Sequence, residues 1–236
     1  HEQNKPLIIC NVWDATSAKI AKKLNFNAIG TSSAAIADML GYEDGEQMSF
    51  DEMLFIIKRI VATTTLPLTV DIEAGFSRKA EEITENIIKL AELGVAGINI
   101  EDSIISKQRE LMDAEQFAET LLAVTQQLDA AKKKIFINVR TDTFLLAHAS
   151  ALEETIKRIA LYEAAGADGI FIPCITKETD IKAVVCQSTL PINVMCMPDL
   201  PEFSNLNKLN VKRIVNKRKR QFFFLLFRDV HKKSQL

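Results

Sequence analysis

The fold class this sequence predicts is α/β: one (β/α)8 TIM barrel over residues 1–236, with an atypical tail from about 216. Three observations predict it. Eight short apolar runs alternate along the chain with amphipathic stretches of helical period. The runs are continuously apolar rather than alternating, which means burial on both faces, the habit of parallel strands. The joints between the two kinds of segment also repeat. Leu90-Ala-Glu-Leu-Gly-Val-Ala-Gly-Ile-Asn-Ile100 and Leu161-Tyr-Glu-Ala-Ala-Gly-Ala-Asp-Gly-Ile-Phe-Ile172 are each a helix tail, a glycine cap and a strand.

The first strand, 7–12, runs into Asn11-Val-Trp-Asp-Ala15. An open doubly wound sheet would want a glycine-rich phosphate loop there, so that fold is the weaker alternative. An amphipathic helix over 17–24 ends at Asn25, the second choice after glycine for a left-handed cap. The strand 28–31 follows. Residues 31–45 are long for a strand-to-helix loop and contain a helical piece, Ser33–Leu40; long loops on that side of a barrel are usually functional. Ser49-Phe-Asp-Glu52 opens the next helix as a capping box.

Thr65-Leu-Pro-Leu-Thr-Val70 stops that helix at its proline and starts the strand 68–72. The helix 79–93 carries Ile83, Ile87, Leu90 and Ala91 at helical spacing. Strands at 97–100, 135–139 and 169–172 alternate with helices at 113–128 and 151–165. Thr189-Leu-Pro-Ile-Asn-Val194 repeats the proline joint before the strand 192–195, and Asn210 repeats the asparagine cap before the strand 211–215. The tail beyond Val215, a basic run followed by apolar residues, is read as a last helix packing on a neighbouring surface.

Composition narrows the partners. Apolar residues are 47% and charged residues 25%, with a formal net charge of −2, so nothing points to nucleic acid or a membrane surface. No apolar run reaches the roughly 20 residues a bilayer span needs. The chain starts with His and shows no signal-peptide pattern, so it is expected to lack its natural beginning and to be cytoplasmic. Cys10, Cys174, Cys186 and Cys196 form no Cys-x-x-Cys pair, and three lie in or beside apolar runs, which suits reduced, mostly buried thiols.

In a barrel, chemistry gathers where strands end. The first strand ends near Asn11 and Asp14, the second at Thr31-Ser-Ser33, the third in Asp71 and Glu73, the fourth in Glu101-Asp102 and the fifth in Arg140-Thr-Asp142. Carboxylates delivered to one rim repel unless a cation or protons intervene. An all-oxygen set without His or Cys points to Mg²⁺ or Mn²⁺, not zinc. An arginine among them suits a substrate carboxylate. Each group also has a structural role open to it: Asp71, Glu73 and Ser32 as caps, Glu101-Asp102 as a loop opening, Arg140 as a partner of Asp142.

Taken in order, Ser32-Ser-Ala34, Leu40-Gly-Tyr-Glu-Asp44, Asp71-Ile-Glu-Ala-Gly75, Gly94-Val-Ala-Gly-Ile-Asn-Ile-Glu-Asp102 and Val139-Arg-Thr-Asp142 resemble the isocitrate lyase / phosphoenolpyruvate mutase superfamily from about Leu7 to Val215. That resemblance implies a phosphoenolpyruvate-binding type of barrel, a homo-oligomer (dimer or tetramer), and Mg²⁺-dependent making or breaking of a C–C or P–C bond in a small 2-oxo- or 2-hydroxycarboxylate through an enolate. It implies Asp71, Glu73 and Glu101 as the metal shell, Glu73 standing where the family has a second aspartate. Asp44 matches an aspartate that approaches the metal through water. Ser32, with the amides of Ser33 and Ala34, matches the substrate-carboxylate segment, and Arg140 the arginine that engages substrate oxygens.

The loop after the fourth strand departs from the family. Ser103-Ile-Ile-Ser-Lys-Gln-Arg-Glu-Leu111 has neither the lyases' Cys-Gly-His nor the mutases' Lys-x-Asn, and Pro173 stands where the lyases place a glutamate. Lys107, or Arg109, is expected to close the site as part of a lid, with Lys107 paired with Arg140 as the catalytic candidates. C–C lyase chemistry is the first expectation. Phosphonate chemistry, or a silent metabolite-binding barrel, is the alternative.

Overall fold

A computed structural model describes residues 5–216 of the chain. Its strands are β1 (Leu7–Val12), β2 (Ala28–Thr31), β3 (Leu68–Asp71), β4 (Gly97–Glu101), β5 (Ser103–Ile105), β6 (Arg109–Leu111), β7 (Phe136–Arg140), β8 (Gly169–Ile172), β9 (Ile192–Met195) and β10 (Arg213–Asn216). The helices are α1 (Ala15–Lys23), α2 (Ser33–Leu40), α3 (Phe50–Val61), α4 (Ala80–Glu92), α5 (Ala114–Ala130), α6 (Ala151–Ala164), α7 (Glu178–Gln187) and α8 (Phe203–Lys208). Eight strands close in the order β1-β10-β9-β8-β7-β4-β3-β2, every pair parallel. This is the (β/α)8 barrel. β5 and β6 form a separate antiparallel hairpin.

The apolar runs become strands because both faces are covered: every residue of β2, β4, β8 and β9 is buried. The main core lies between strands and helices, with Val12, Ile29, Val70, Ile98, Val139 and Ile170 meeting residues such as Ile57, Ile87 and Leu121. A second apolar cluster joins Phe171 to Ile9, Ala28, Met195 and Val215, the last four linked by strand register. The polar part of the strand network includes an Asn138–Asn99 hydrogen bond of 2.8 Å and Arg213 stacked 5.0 Å from the Phe136 ring.

The caps follow the sequence. Asn25 and Asn210 are left-handed (φ 59° and 65°), and Ser49 and Glu52 cap α3 reciprocally. The strand limits differ from those expected by one or two residues: β10 starts at Arg213, and β7 runs on to Arg140. Cys10 is buried, and burial pushes its thiol up to about 12, whereas Cys186 on α7 is exposed. Among the described residues no helix is long and apolar enough to cross a membrane. The tail expectation falls on 217–236, outside the described residues.

Candidate active site

β3 delivers Asp71 to the rim, fully within the fold. Its N–H donates to Thr31 Oγ1 at 2.8 Å, and its Oδ2 accepts from Ser33 Oγ at 3.2 Å, so the ends of β2 and β3 are tied together. The chain then turns sharply. Gly75 takes φ +102°, and a Cβ there would lie 2.9 Å from Ile83, so only glycine closes this turn. Within the turn Glu73 adopts φ 51°, uncommon for a residue other than Gly or Asn. Its Oε2 accepts from the Glu46 N–H at 2.6 Å, and its Oε1 is buried with no hydrogen-bond partner.

Burial, and then the charges of Asp71, Asp44, Glu101 and Glu46, push the Glu73 carboxyl up to about 8. The sign of the stability effect follows. The folded pKa lies above the unfolded value of roughly 4.3, so the folded chain keeps a proton that the unfolded chain releases. Glu73 is thus expected to make metal-free stability fall as pH rises from roughly 4.3 towards about 8. Urea titrations in chelator at about pH 5.5 and pH 8.5 test this: Glu73→Gln should lose a pH slope worth a few kcal/mol, and an unchanged slope would exclude Glu73 as its source.

Glu101 and Arg140 are register partners on β4 and β7. Arg140 Nη1 reaches Glu101 Oε2 at 2.6 Å, while its Nε and Nη2 clamp Asp142 at 2.6 and 2.9 Å. All three side chains are buried. Burial, helped by Asp142 and Asp71, raises the Glu101 carboxyl against the pull of Arg140 and Arg109. Arg140 is held above its ordinary value despite burial, by Glu101, Asp142 and Asp71.

The hairpin β5–β6 lies beside this cluster. Arg109 Nη1 bonds Glu101 Oε1, Ser103 Oγ at 3.0 Å and Asp142 Oδ2 at 3.3 Å; its Nη2 meets Asp44 at 3.1 Å. Lys107 is exposed in the turn between β5 and β6. Of the two residues expected of the lid, the hairpin brings Arg109 to the carboxylates and leaves Lys107, the expected catalytic lysine, exposed in the turn. Gly45, φ +109°, packs against Ile105 so closely that a Cβ would lie 2.7 Å away. The space left between Gly45, Glu73, Glu101, Ser103 and Ile105 is about 10 Å³, room for about one water. Outside it, Glu46 pairs with Arg78 at 2.7 Å across a cleft of about 470 Å³ lined also by Met48, Phe50 and Phe76.

Three expected rim residues also have structural roles. Asp14 caps α1, accepting from the Ser17 N–H at 2.6 Å. Ser32 caps α2, accepting weakly from the Ala35 N–H at 3.4 Å, with Ala34 in the first turn of that helix. Asp102 is turned away from Glu101's partners, towards α6: its Oδ2 accepts from Arg158 at 2.9 Å and Tyr162 Oη at 2.8 Å, and its Oδ1 from the Asp142 N–H at 3.0 Å. Burial raises the Asp102 carboxyl and Arg158 opposes it. This buried group braces the backbone of the residue that clamps Arg140. Arg158 and Tyr162 were not anticipated. Their signal was an arginine four residues before a tyrosine on an amphipathic helix.

As the side chains stand, no group of three His, Cys, Asp or Glu residues among those described is arranged to hold a metal ion. The chemistry of the donors nevertheless fits a hard cation. Asp71, Glu73 and Glu101 offer only oxygens, their charges act on one another, and one buried Glu73 oxygen has no hydrogen-bond partner. Glu101 is engaged by two guanidiniums, those of Arg109 and Arg140.

A family model for phosphoenolpyruvate phosphomutase matches residues 1–222. The chain belongs to that family. A solved structure of a Burkholderia cenocepacia protein named as a candidate phosphonomutase is 35% identical, with a TM-score of 0.86 over 99% of this chain and 95% of that one. An oxaloacetate decarboxylase from Bradyrhizobium sp. is 29% identical over 212 residues, 86% of this chain and 70% of the relative. A 2-methylisocitrate lyase from Shewanella oneidensis is 29% identical over 219 residues, 89% and 71% respectively. The phosphomutase family thus reaches this chain through relatives named as lyases and as mutases, and supports an enzyme of the wider superfamily.

Proposed function

We propose that this chain is a Mg²⁺-dependent lyase that breaks a C–C bond in a small 2-oxo- or 2-hydroxycarboxylate, with 2-oxodicarboxylate decarboxylation as its best-supported form. The observation that carries the reading is the gathering of three buried carboxylates, Asp71, Glu73 and Glu101, within range of one another's charge, with Arg140 paired to Glu101. Asp71, Glu73 and Glu101 would hold the cation, which supplies Lewis-acid stabilisation of negative charge on the substrate. The protein's own groups do the rest. Arg140 keeps two N–H donors beyond those spent on Glu101 and Asp142 and offers them to substrate oxygens. Ser33, hydrogen-bonded to Asp71, and Ser32 at the start of α2 receive a carboxylate. The hairpin and the loop carrying Asp44 exclude water, which strengthens each of these contacts.

The composition of the lid supports decarboxylation over reverse-aldol cleavage. Breaking a 2-hydroxyacid in the reverse-aldol sense requires a base for the hydroxyl proton and an acid for the product carbon. Loss of CO₂ from a 2-oxodicarboxylate needs no such base, and its later proton can come from water. Residues 103–111 carry no Cys or His. The relatives named oxaloacetate decarboxylase support the same choice. Phosphonate chemistry is the second reading, favoured by the 35% identical structure named for it.

The test is a substrate panel of oxaloacetate, 2-methylisocitrate and phosphonopyruvate, each with Mg²⁺ and with chelator, and Asp71→Ala as the control for spontaneous decay. Mg²⁺-dependent CO₂ release from oxaloacetate, above the control, is expected. Turnover of phosphonopyruvate alone would move the chain to P–C chemistry. Binding of all three without turnover of any would make it a silent barrel.

A further inference from the structure

Glu101 has both carboxylate oxygens occupied. Oε2 accepts from Arg140, which belongs to the barrel wall, and Oε1 accepts from Arg109, which belongs to the hairpin. The two partners differ in how they are held. Arg140 is on a strand paired on both sides and is clamped by Asp142. Arg109 sits on a three-residue strand paired only with β5, and its side chain is 15% exposed. Its other contacts, Asp142, Ser103 and Asp44, make it a single positive charge spread over three carboxylates from three separate segments of the chain. A planar five-donor cation is the one side chain that can serve all of them at once.

Resting on the metal reading given above, we propose that Arg109 is a built-in counter-ion that holds the place of the divalent cation and competes with it. A cation that recruits Glu101 alongside Asp71 and Glu73 takes Oε1 from Arg109. The guanidinium then leaves, and the hairpin loses its strongest tie to the rim. Metal entry and release of residues 103–111 would become one event, ahead of the closure over substrate that excludes water. The device keeps a carboxylate cluster neutralised before the ion arrives, and it sets a lower affinity for the ion than the donor set alone would give.

The experiment is Mn²⁺ binding to the full chain, followed by electron paramagnetic resonance of free Mn²⁺, with amide hydrogen exchange over the hairpin. Arg109→Gln should bind Mn²⁺ at least about tenfold more tightly than the native chain, because a charged hydrogen-bond competitor is gone. Arg109→Lys, which keeps the charge, should stay within a few-fold of native. In the native chain Mn²⁺ should accelerate exchange of residues 103–111. Equal or weaker binding by Arg109→Gln overturns the proposal while leaving the metal reading intact. Unchanged exchange in the native chain overturns it without any variant. Absence of Mn²⁺ binding in both native chain and Arg109→Gln overturns the metal reading and this proposal together.

Discussion

Arg140→Leu melts well below the native chain, by roughly 6–20 °C, the largest single stability loss expected of any site substitution. The reasoning is electrostatic. Arg140 neutralises two buried carboxylates, Glu101 and Asp142, through three contacts of 2.6–2.9 Å. Removing one partner of a buried ion pair leaves an uncompensated charge, at a cost of about 3–5 kcal/mol. For a chain of this size each kcal/mol is worth about 2–4 °C in melting temperature. Arg109 softens the loss because it also touches both carboxylates, which favours the lower end of that range. Calorimetric melts at two pH values give the check. The deficit should shrink on acidification, since a carboxylate stripped of its partner can take a proton instead. A melt within 2 °C of native at neutral pH, an amount of roughly 1 kcal/mol or less, would mean that the ion triad contributes nothing net.

Asp71→Asn is expected to do the reverse: abolish function and spare the fold. The change keeps the volume and an oxygen for Ser33 to reach, so the tie between β2 and β3 survives. It removes one of the negative charges that raise Glu73 and Glu101, so metal-free stability should hold or rise. Loss of a charged ligand should weaken Mn²⁺ binding by at least about a hundredfold, and loss of the cation's Lewis acidity should lower turnover by about a thousandfold. The pair of readouts matters. A stable protein that still binds Mn²⁺ as well as native would remove Asp71 from the metal shell.

Much of this fold was legible because the signals were local. A strand buried on both faces needs a continuous apolar run; a helix that stops at Asn25 or Asn210 needs a residue tolerant of positive φ; α3 needs an acceptor and a returning carboxylate at Ser49 and Glu52. The rim was legible for the same reason, since strand ends fall where those runs stop. Two details of the rim were not legible. Glu101 and Asp102 are neighbours on an extended chain, whose side chains point to opposite sides. One meets Arg140 and the other meets α6. Lys107 and Arg109 differ in a way sequence spacing hides, because the turn falls at 106–108 and only the residue after it rejoins the rim. No glycine or proline marks that turn, so the hairpin itself left no trace to read. The α6 brace went unseen because a buried arginine looks, in sequence, like a solvated one.

The mouth of the barrel is shut by two unlike fasteners. Gly45 against Ile105 is backbone on hydrocarbon, while Arg109 against its carboxylates is charge on charge. Added electrolyte screens the exposed Arg109–Asp44 arm most and the buried arms to Glu101 and Asp142 much less, and it does not act on the apolar contact through charge. Ionic strength therefore loosens the ionic tie between the hairpin and the loop of Asp44 ahead of the Gly45–Ile105 contact that joins the same two segments.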